Sequence, residues 1–418
     1  MISEQVTINV KKYWGEFVFV FSNTYSMALS MISSIVATAF IDPEDMGVIQ
    51  QFLLIQVYLN FMHFGVFNGL NRNLAYYKAK NNVELVQDMV NTTYSVSILV
   101  AFIGAIVSVV LGLHTLLSDK SAVYVGASVL LFFLLVFSPL INGIEITYRS
   151  GQEFKRLGII KNIETTLYAV FSLLPIWLGY VGKVVADSFR QIFGFLMRYR
   201  QKSYQYTGKG SLKSLKMLLN TGFPILVSGY LWSVYVACDR TFIANFLTNR
   251  DLGLYSLAGY VITAVMVIPT AVNTLLYPKA ATRYGQTNDT HSLFAFWKKS
   301  LFMYVLMLVP ICVLLYFLLP LLVPIFMPKY VDGIKAAQYA LLTCMTFVSS
   351  GPSVIFGTLR KNIKYIYVLV FSIALFWVVA YVFRDVFSSI ENISLLRFGI
   401  SFLQMISILW LTYKYTKK

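Results

Sequence analysis

Long apolar runs separated by short polar segments make up most of this chain. The runs recur along its whole length, and most approach the roughly 20 residues that a helix needs to cross a bilayer core. This pattern predicts an all-α membrane protein with about twelve transmembrane helices. The predicted helices cover residues 17–41, 46–71, 89–118, 121–144, 165–182, 184–200, 217–238, 252–278, 300–328, 336–359, 365–383 and 398–413.

A polar connector between predicted helices, 201–216, lies at the midpoint of the chain. Leucines at helical spacing, with lysines between them, predict a short amphipathic helix from Leu212 to Leu219 on the inner face of the membrane. The connector divides the chain into an N-terminal six-helix bundle (1–200), a cytoplasmic connector (201–216) and a C-terminal six-helix bundle (217–418).

An internal repeat supports the division into two halves. Residues 40–48 and 246–254 share the order Phe, aliphatic, three loop residues, Asp, Met or Leu, Gly, aliphatic. We expect the aspartates to cap the next helix and the glycines to let two helices approach closely. Because six crossings restore the orientation, the halves are parallel repeats, which predicts a substrate path between them.

The basic residues of the chain are distributed unevenly between the two predicted sides of the membrane. The chain carries 34 Lys and Arg against 18 Asp and Glu, a net charge of +16. With a cytoplasmic N-terminus, 26 of the 34 basic residues fall on the inner side, as the positive-inside rule requires. Both termini are therefore expected in the cytoplasm, and the charge indicates membrane topology and anionic lipid contact, with no nucleic-acid partner.

Known catalytic and metal-binding patterns do not occur. The three cysteines lie in apolar runs without CxxC spacing, and the three histidines form no HExxH motif. The predicted outer loops are short, which argues against the external catalytic loop of a glycan polymerase or ligase. We expect a protein that is not an enzyme, with no metal and no cofactor beyond a coupling ion, H⁺ or Na⁺.

Several short motifs resemble one family. They are Gly222-Phe223-Pro224, Asp239-Arg240, Leu252-Gly253-Leu254-Tyr255, Pro278, and Gly65, Gly69 and Arg72 in the second helix. The chain resembles the polysaccharide (O-antigen and capsule, Wzx-type) flippases of the multidrug/oligosaccharidyl-lipid/polysaccharide exporter superfamily.

This resemblance implies a transporter in the bacterial cytoplasmic (inner) membrane. It would move undecaprenyl-diphosphate-linked oligosaccharide from the inner to the outer leaflet by alternating access, coupled to an ion. The implied partners are the lipid-linked oligosaccharide, membrane lipids, and a glycan polymerase with its chain-length regulator.

Cations within or at the ends of the membrane helices are the candidate diphosphate ligands. Arg240 lies well inside a predicted membrane helix, where a charged residue is costly and usually functional. Its planar guanidinium group can bind two phosphate oxygens at once. The alternative is an ion pair with Asp239 or with another helix. Arg72 and Lys279 lie at matching cytoplasmic ends of helices two and eight; ordinary anchoring at the interface is the alternative for both.

Polar and aromatic residues on the same helices are candidates for the sugars and the coupling ion. We expect Asn68, Asn273, Tyr277 and Tyr235 to contact sugar. Asp239 and His63 are candidates for ion coupling, although a lone intramembrane histidine is often structural. Two further pairs, Asp187 with Arg190 and Glu145 with Arg149, have the spacing of intrahelical ion pairs.

Two other functions remain open from the sequence. The first is a cation-coupled multidrug antiporter of the related MATE type. A cationic drug requires an acidic cavity, whereas the acids predicted to lie within the membrane, Asp239 and Asp187, each stand near an arginine. The second is a membrane glycan polymerase or ligase, which the loop lengths oppose.

Overall fold

A computed structural model defines the fold. It describes residues 2–118, 120–151, 153–206, 208, 210–287, 290–350, 356, 359 and 362–417, with side chains from residue 21 onward. Residue 362 and most residues between 271 and 292 are described without side chains; in the latter stretch, side chains are given for 272, 273, 276, 280 and 284.

The described residues form helices and turns and contain no strand. The helices of the first part are α1 (Ile2–Ala39), α2 (Pro43–Leu59), α3 (Val66–Ala79), α4 (Val83–Leu117), α5 (Ala122–Ser150), α6 (Phe154–Phe171), α7 (Pro175–Leu178) and α8 (Tyr180–Arg200). Those of the second part are α9 (Leu212–Phe246), α10 (Asn249–Leu254), α11 (Ser256–Thr287), α12 (Thr290–Phe326), α13 (Ile334–Met345), α14 (Asn362–Val382) and α15 (Ile390–Thr416). Short 3₁₀ helices cover Asn60–His63, Pro328–Gly333 and Thr346–Ser349.

Length and hydropathy identify the membrane-crossing helices. In the described part of the chain, eight helices are long and apolar enough to cross a membrane, or nine if α2 and α3 count as one bent span. The predicted all-α, polytopic membrane fold is confirmed. The total of twelve crossings and the cytoplasmic position of the termini stay predictions.

The chain forms two compact units, and each unit contains two separate stretches of the sequence. Unit 1 contains Met1–Phe40 and Ile55–Tyr230, and unit 2 contains Ile41–Leu54 and Leu231–Lys418. In unit 1, α4 packs on α5, α1 on α6, and α8 on both α5 and α6. In unit 2, α13 packs on α11, α12 and α15, and α14 packs on α15. The prediction of two sequential bundles, 1–200 and 217–418, is not tested by this packing.

The second predicted helix is not continuous. After α2, a 3₁₀ turn ends at His63, Phe64 and Gly65 adopt left-handed φ angles of 46° and 91°, and α3 continues at an angle of 50°. The prediction of one helix over 46–71 is therefore wrong. Glycine adopts positive φ freely, but a phenylalanine there is strained, so surrounding contacts must hold the break in place.

The predicted surface helix at 212–219 is also wrong, because these residues are the first turns of α9. Leu218 is fully buried in a core cluster with Phe67, Leu70 and Met89. The leucines from 215 to 219 are thus covered by α3 and α4, while Leu212 is 83% exposed.

The connector before α9 is tied to the start of α4. Ser211 Oγ and Ser214 Oγ both donate to the Asp88 carboxylate, the second at 2.5 Å. Gln87 Nε2 donates to the Gln205 carbonyl at 2.6 Å. These bonds hold Gln205 and Ser211, on either side of the connector, against α4.

The repeated segments contact one another reciprocally within unit 2. A methyl group added to Gly47 would overlap the Asn249 carbonyl, and one added to Gly253 would overlap the Pro43 carbonyl. The predicted close approach at the glycines is present. The capping role is shared: Thr248 accepts from the Asp251 amide, and the Asp251 carboxylate accepts from the Thr248 amide at 3.1 Å.

Candidate functional site

Asp239 lies in a buried polar cluster of unit 2. Its side chain is 1% exposed. One carboxylate oxygen accepts a hydrogen bond from the Tyr255 hydroxyl at 2.8 Å, and the other accepts from the Arg240 backbone amide at 2.7 Å. A carboxylate at this depth needs such donors, because burying an unpaired charge is costly.

Arg397 supplies the positive charge of this cluster. It is 3% exposed, donates to the Tyr235 carbonyl, and lies close enough to Asp239 to interact electrostatically. Arg397 was not among the predicted site residues. A signal was present: Ser394, Arg397, Ser401 and Gln404 recur at helical spacing along α15, and all four are buried.

Tyr235 is enclosed within the same cluster. The Arg397 guanidinium carbon lies 3.7 Å from the centroid of its ring, and its hydroxyl is hydrogen-bonded to Ser401 at 2.8 Å. The ring is 1% exposed. Tyr235 is therefore not open to a sugar in this structure, contrary to expectation, and its role is to seat Arg397 through a cation–π contact.

Arg240 follows Asp239 on α9 but does not pair with it. Its backbone amide binds the Asp239 carboxylate, while its guanidinium forms no ion pair or side-chain hydrogen bond with any described residue. The side chain is half-buried. The expected alternative, an Asp239–Arg240 ion pair, is not formed, which leaves five N–H donors available to a ligand.

An ion network in unit 1 centres on Glu164 of α6. Its carboxylate accepts from Arg198 Nη1 at 2.5 Å and from Arg190 Nε at 3.2 Å, both on α8. Arg190 also donates to Ser30 of α1 at 3.0 Å. Asp187 pairs with Lys183 at 3.0 Å, so the predicted Asp187–Arg190 pair is wrong.

Glu145 of α5 extends the network. Lys161 Nζ lies 2.8 Å from its carboxylate, Arg198 Nη2 lies 3.6 Å away, and Arg149 Nη2 lies 3.9 Å away. The predicted Glu145–Arg149 pair is thus present but is the longest of the three. Within these described contacts, four cations surround two carboxylates. This surplus of positive charge favours anions.

Arg72 and Asn68 lie one turn apart on α3. Arg72 is exposed and forms no ion pair with a described residue, and Asn68 is half-buried. Neighbouring Asn73 and Asn71 are engaged, Asn73 with Thr221 at 3.3 Å and Asn71 with Ser150 at 3.4 Å. Arg72 and Asn68 thus lie beside asparagines whose side chains are already hydrogen-bonded.

His63 ends the 3₁₀ turn at the break between α2 and α3. Its Nδ1 accepts from the Gly65 backbone amide at 3.1 Å, and its ring stacks on Phe67 with 4.4 Å between centroids. It lines a small crevice of about 30 Å³ together with Gln56, Asn60 and Asn142. His63 thus accepts a backbone hydrogen bond at the break and also lines the crevice.

The remaining candidates lie on α11. Asn273 is half-buried and accepts from the Tyr304 hydroxyl at 2.8 Å. The side chains of Tyr277 and Lys279 lie outside the described residues. Among the described residues, no group of three His, Cys, Asp or Glu side chains could hold a metal ion.

Solved structures share this fold over nearly the whole chain. An inward-facing multidrug resistance MATE transporter of the MOP superfamily is similar with a TM-score of 0.76, 13% identity and coverage of 94% of each chain. A MOP superfamily transporter from Pyrococcus furiosus, whose binding pocket is described as having reverse polarity, has a TM-score of 0.69 at 14% identity over 97% and 96% of the chains. A Vibrio cholerae MATE transporter variant has a TM-score of 0.63 at 14% identity over 96% and 97%.

These likenesses establish the fold, which is that of the MOP superfamily. No curated protein matches the chain. A sequence family described as polysaccharide biosynthesis protein matches residues 35–331, more than half of the chain. The chain therefore belongs to this polysaccharide biosynthesis family and has the helical membrane fold of MOP superfamily transporters.

Proposed function

We propose that the protein moves undecaprenyl-diphosphate-linked oligosaccharide from the inner to the outer leaflet of the bacterial cytoplasmic membrane by alternating access. Arg240, Arg72 and Lys279 neutralise the diphosphate, and Asn68, Asn273 and Tyr277 contact the sugars. Asp239 and His63 take up the coupling ion. Family membership supports a substrate from polysaccharide biosynthesis.

The observation that carries the proposal is the excess of positive charge over carboxylates on the long apolar helices. Arg240 has no carboxylate partner among the described residues, and in the unit 1 network four cations surround the carboxylates of Glu145 and Glu164. Uncompensated cations in an apolar setting attract an anion of matching charge. A diphosphate carries that charge, and its lipid tail stays in the bilayer.

The described carboxylates argue against the MATE-type alternative. Glu145, Glu164 and Asp187 each form an ion pair, and Asp239 accepts the Tyr255 hydroxyl beside Arg397. A site for cationic drugs needs a carboxylate that a drug can reach and neutralise. Each of these four is occupied, so the polarity fits an anionic substrate better.

The amount of glycan on the surface of the host cells tests the proposal. Arg240→Ala removes a charged donor worth about 1.5–3 kcal/mol, so we expect export to fall about 10-fold or more at unchanged protein level in the membrane. Arg250→Ala is the matched control, because Arg250 is exposed and paired with Asp332 at 2.8 Å. Glycan export that persists with Arg240→Ala would remove Arg240 from the site.

Binding in detergent separates the two transporter classes. We expect undecaprenyl diphosphate to raise the melting temperature of the purified protein and ethidium, a cationic drug, to leave it unchanged. Stabilisation by ethidium alone would favour the multidrug antiporter.

A further inference from the structure

One side-chain hydrogen bond lies at the break between α2 and α3. Phe64, at φ 46°, occupies a backbone region that costs a non-glycine residue about 1–2 kcal/mol. The Gly65 amide donates to His63 Nδ1 at 3.1 Å. The Phe64 amide donates to the Phe61 carbonyl at 2.9 Å, so the imidazole is the added constraint that holds Gly65 in place.

This hydrogen bond requires a neutral imidazole. Nδ1 can accept from Gly65 only while its lone pair is free, so the ring proton resides on Nε2. In an imidazolium both nitrogens are donors. Protonation would then place the Nδ1 proton against the Gly65 N–H, and the contact that supports the left-handed turn would become repulsive.

The crevice beside His63 offers a protonated ring other partners. Gln56, Asn60, Ser138 and Asn142 line it with amide and hydroxyl oxygens, and its other lining residues are apolar. No carboxylate, lysine or arginine is among these lining residues, which come from α2, the 3₁₀ turn, α3, α4 and α5. The proton therefore meets neutral acceptors and no fixed counter-charge.

Packing on the opposite side couples the break to α9. A methyl group on Gly65 would overlap Gly222, and one on Gly69 would overlap the Leu218 carbonyl, so the backbones of α3 and α9 are in direct contact. Phe61 packs on Phe223 and on Tyr230, whose hydroxyl donates to the Tyr58 carbonyl at 3.1 Å. A change of direction at the break therefore moves α3 against α9.

We propose that His63 is a proton-operated latch for the bend between α2 and α3. The neutral imidazole holds Gly65 and the 50° bend. Protonation turns the ring toward the crevice amides, releases the Gly65 amide, and lets the strained Phe64 return to helical φ, so the bend opens. The latch acts in the substrate-free protein and does not depend on what the protein transports.

Spin-label distances on the full-length protein in lipid nanodiscs test the latch. The labels are placed at Tyr76→Cys on α3 and Phe102→Cys on α4, both exposed, while the three native cysteines are buried. Straightening the bend moves a label about ten residues beyond it by up to about 12 Å, at 1.5 Å of rise per residue. We expect the distance to change as the pH is lowered from about 8 to about 4, because burial disfavours the charged imidazole and protonation of the ring needs a more acidic solution.

Two variants identify the responsible group. His63→Asn keeps an acceptor near the Nδ1 position but does not titrate, so the distance should stay at its high-pH value throughout. His114→Asn, at an exposed histidine in the last turn of α4, should keep the full pH response. A distance independent of pH in the unaltered protein, a pH response that survives His63→Asn, or one that disappears with His114→Asn would each overturn the latch.

Discussion

Asp239 illustrates how one residue is accommodated in an apolar helix. Its carboxylate is satisfied by the Tyr255 hydroxyl and a backbone amide, with Arg397 nearby. The groups that stabilise the carboxylate come from a distant segment, α15, and from Tyr255, which directly follows the repeat motif.

Tyr255→Phe removes the hydroxyl donor and leaves the ring in place. Because a buried acceptor without its donor costs about 1–3 kcal/mol, we expect a melting temperature several degrees lower in detergent. Tyr381→Phe is the control, since that side chain is 63% exposed. Equal melting temperatures for the two variants would mean that the Tyr255 bond adds no stability.

The residue-level predictions succeeded where local sequence determines the outcome. The place of Asp239 inside a long apolar run indicates that its charge lies away from water, and its side chain is 1% exposed; its expected role in ion coupling stays a prediction. The partner of Asp239 could not be predicted, because Arg397 is 158 positions away and a single sequence does not reveal long-range contacts. Tyr235 was misassigned for the same reason.

At the scale of helices, the close approach of repeated glycines sets how α2 and α10 pack. Gly253→Ala forces a methyl group into the Pro43 carbonyl, and overpacking of this kind costs about 1–3 kcal/mol or more. We expect a lower melting temperature and less folded protein in membrane extracts. Gly259→Ala should be neutral or slightly stabilising, because nothing lies within 4 Å of its added methyl group and helical alanine is favoured. Equal behaviour of the two variants would contradict the packing role of Gly253.

The link between the connector and α4 makes a second prediction at this scale. Asp88→Asn weakens the acceptor of Ser211 and Ser214, so the connector before α9 should detach from α4 and be cleaved faster by trypsin. Glu84→Gln is the matched control, an exposed acid in the first turn of the same helix. Unchanged cleavage in Asp88→Asn would show that other contacts hold the connector.

Hydrophobic runs predicted where helices occur but not how they break. The interruption at Phe64 and Gly65 coincides with a hydrogen bond from a backbone amide to a histidine side chain, a local detail that hydropathy averages over. Likewise, the leucines at 212–219 have the same spacing whether lipid or protein covers them. Their assignment to α9 required the contacts with α3 and α4.

At the scale of the whole molecule, a network of ion pairs connects several helices of unit 1. The network around Glu164 and Glu145 joins α5, α6 and α8, and Arg190 extends it to α1. Glu164→Gln leaves Arg198, which is 3% exposed, without its shortest ion pair. Breaking a buried pair costs about 3–5 kcal/mol, so we expect a marked loss of folded protein by size-exclusion chromatography.

Glu153→Gln is the control for the network. Its pair with Arg156 is partly exposed at 3.3 Å, and such pairs contribute about 1 kcal/mol or less. Wild-type yield for Glu164→Gln would show that the Glu164 carboxylate is dispensable for folding. The overall fold class was predictable because hydropathy alone dictates membrane helices, whereas the network required three-dimensional contacts.

The reciprocal glycine contact has a genetic consequence. The atoms that crowd Gly47 and Gly253 belong to the main chain of Asn249 and Pro43. Trimming a neighbouring side chain elsewhere therefore creates no room for a bulkier residue at either position. Selection for second-site suppressors of Gly253→Val should return true revertants or small residues at 253, and intragenic compensation by side-chain changes should be absent.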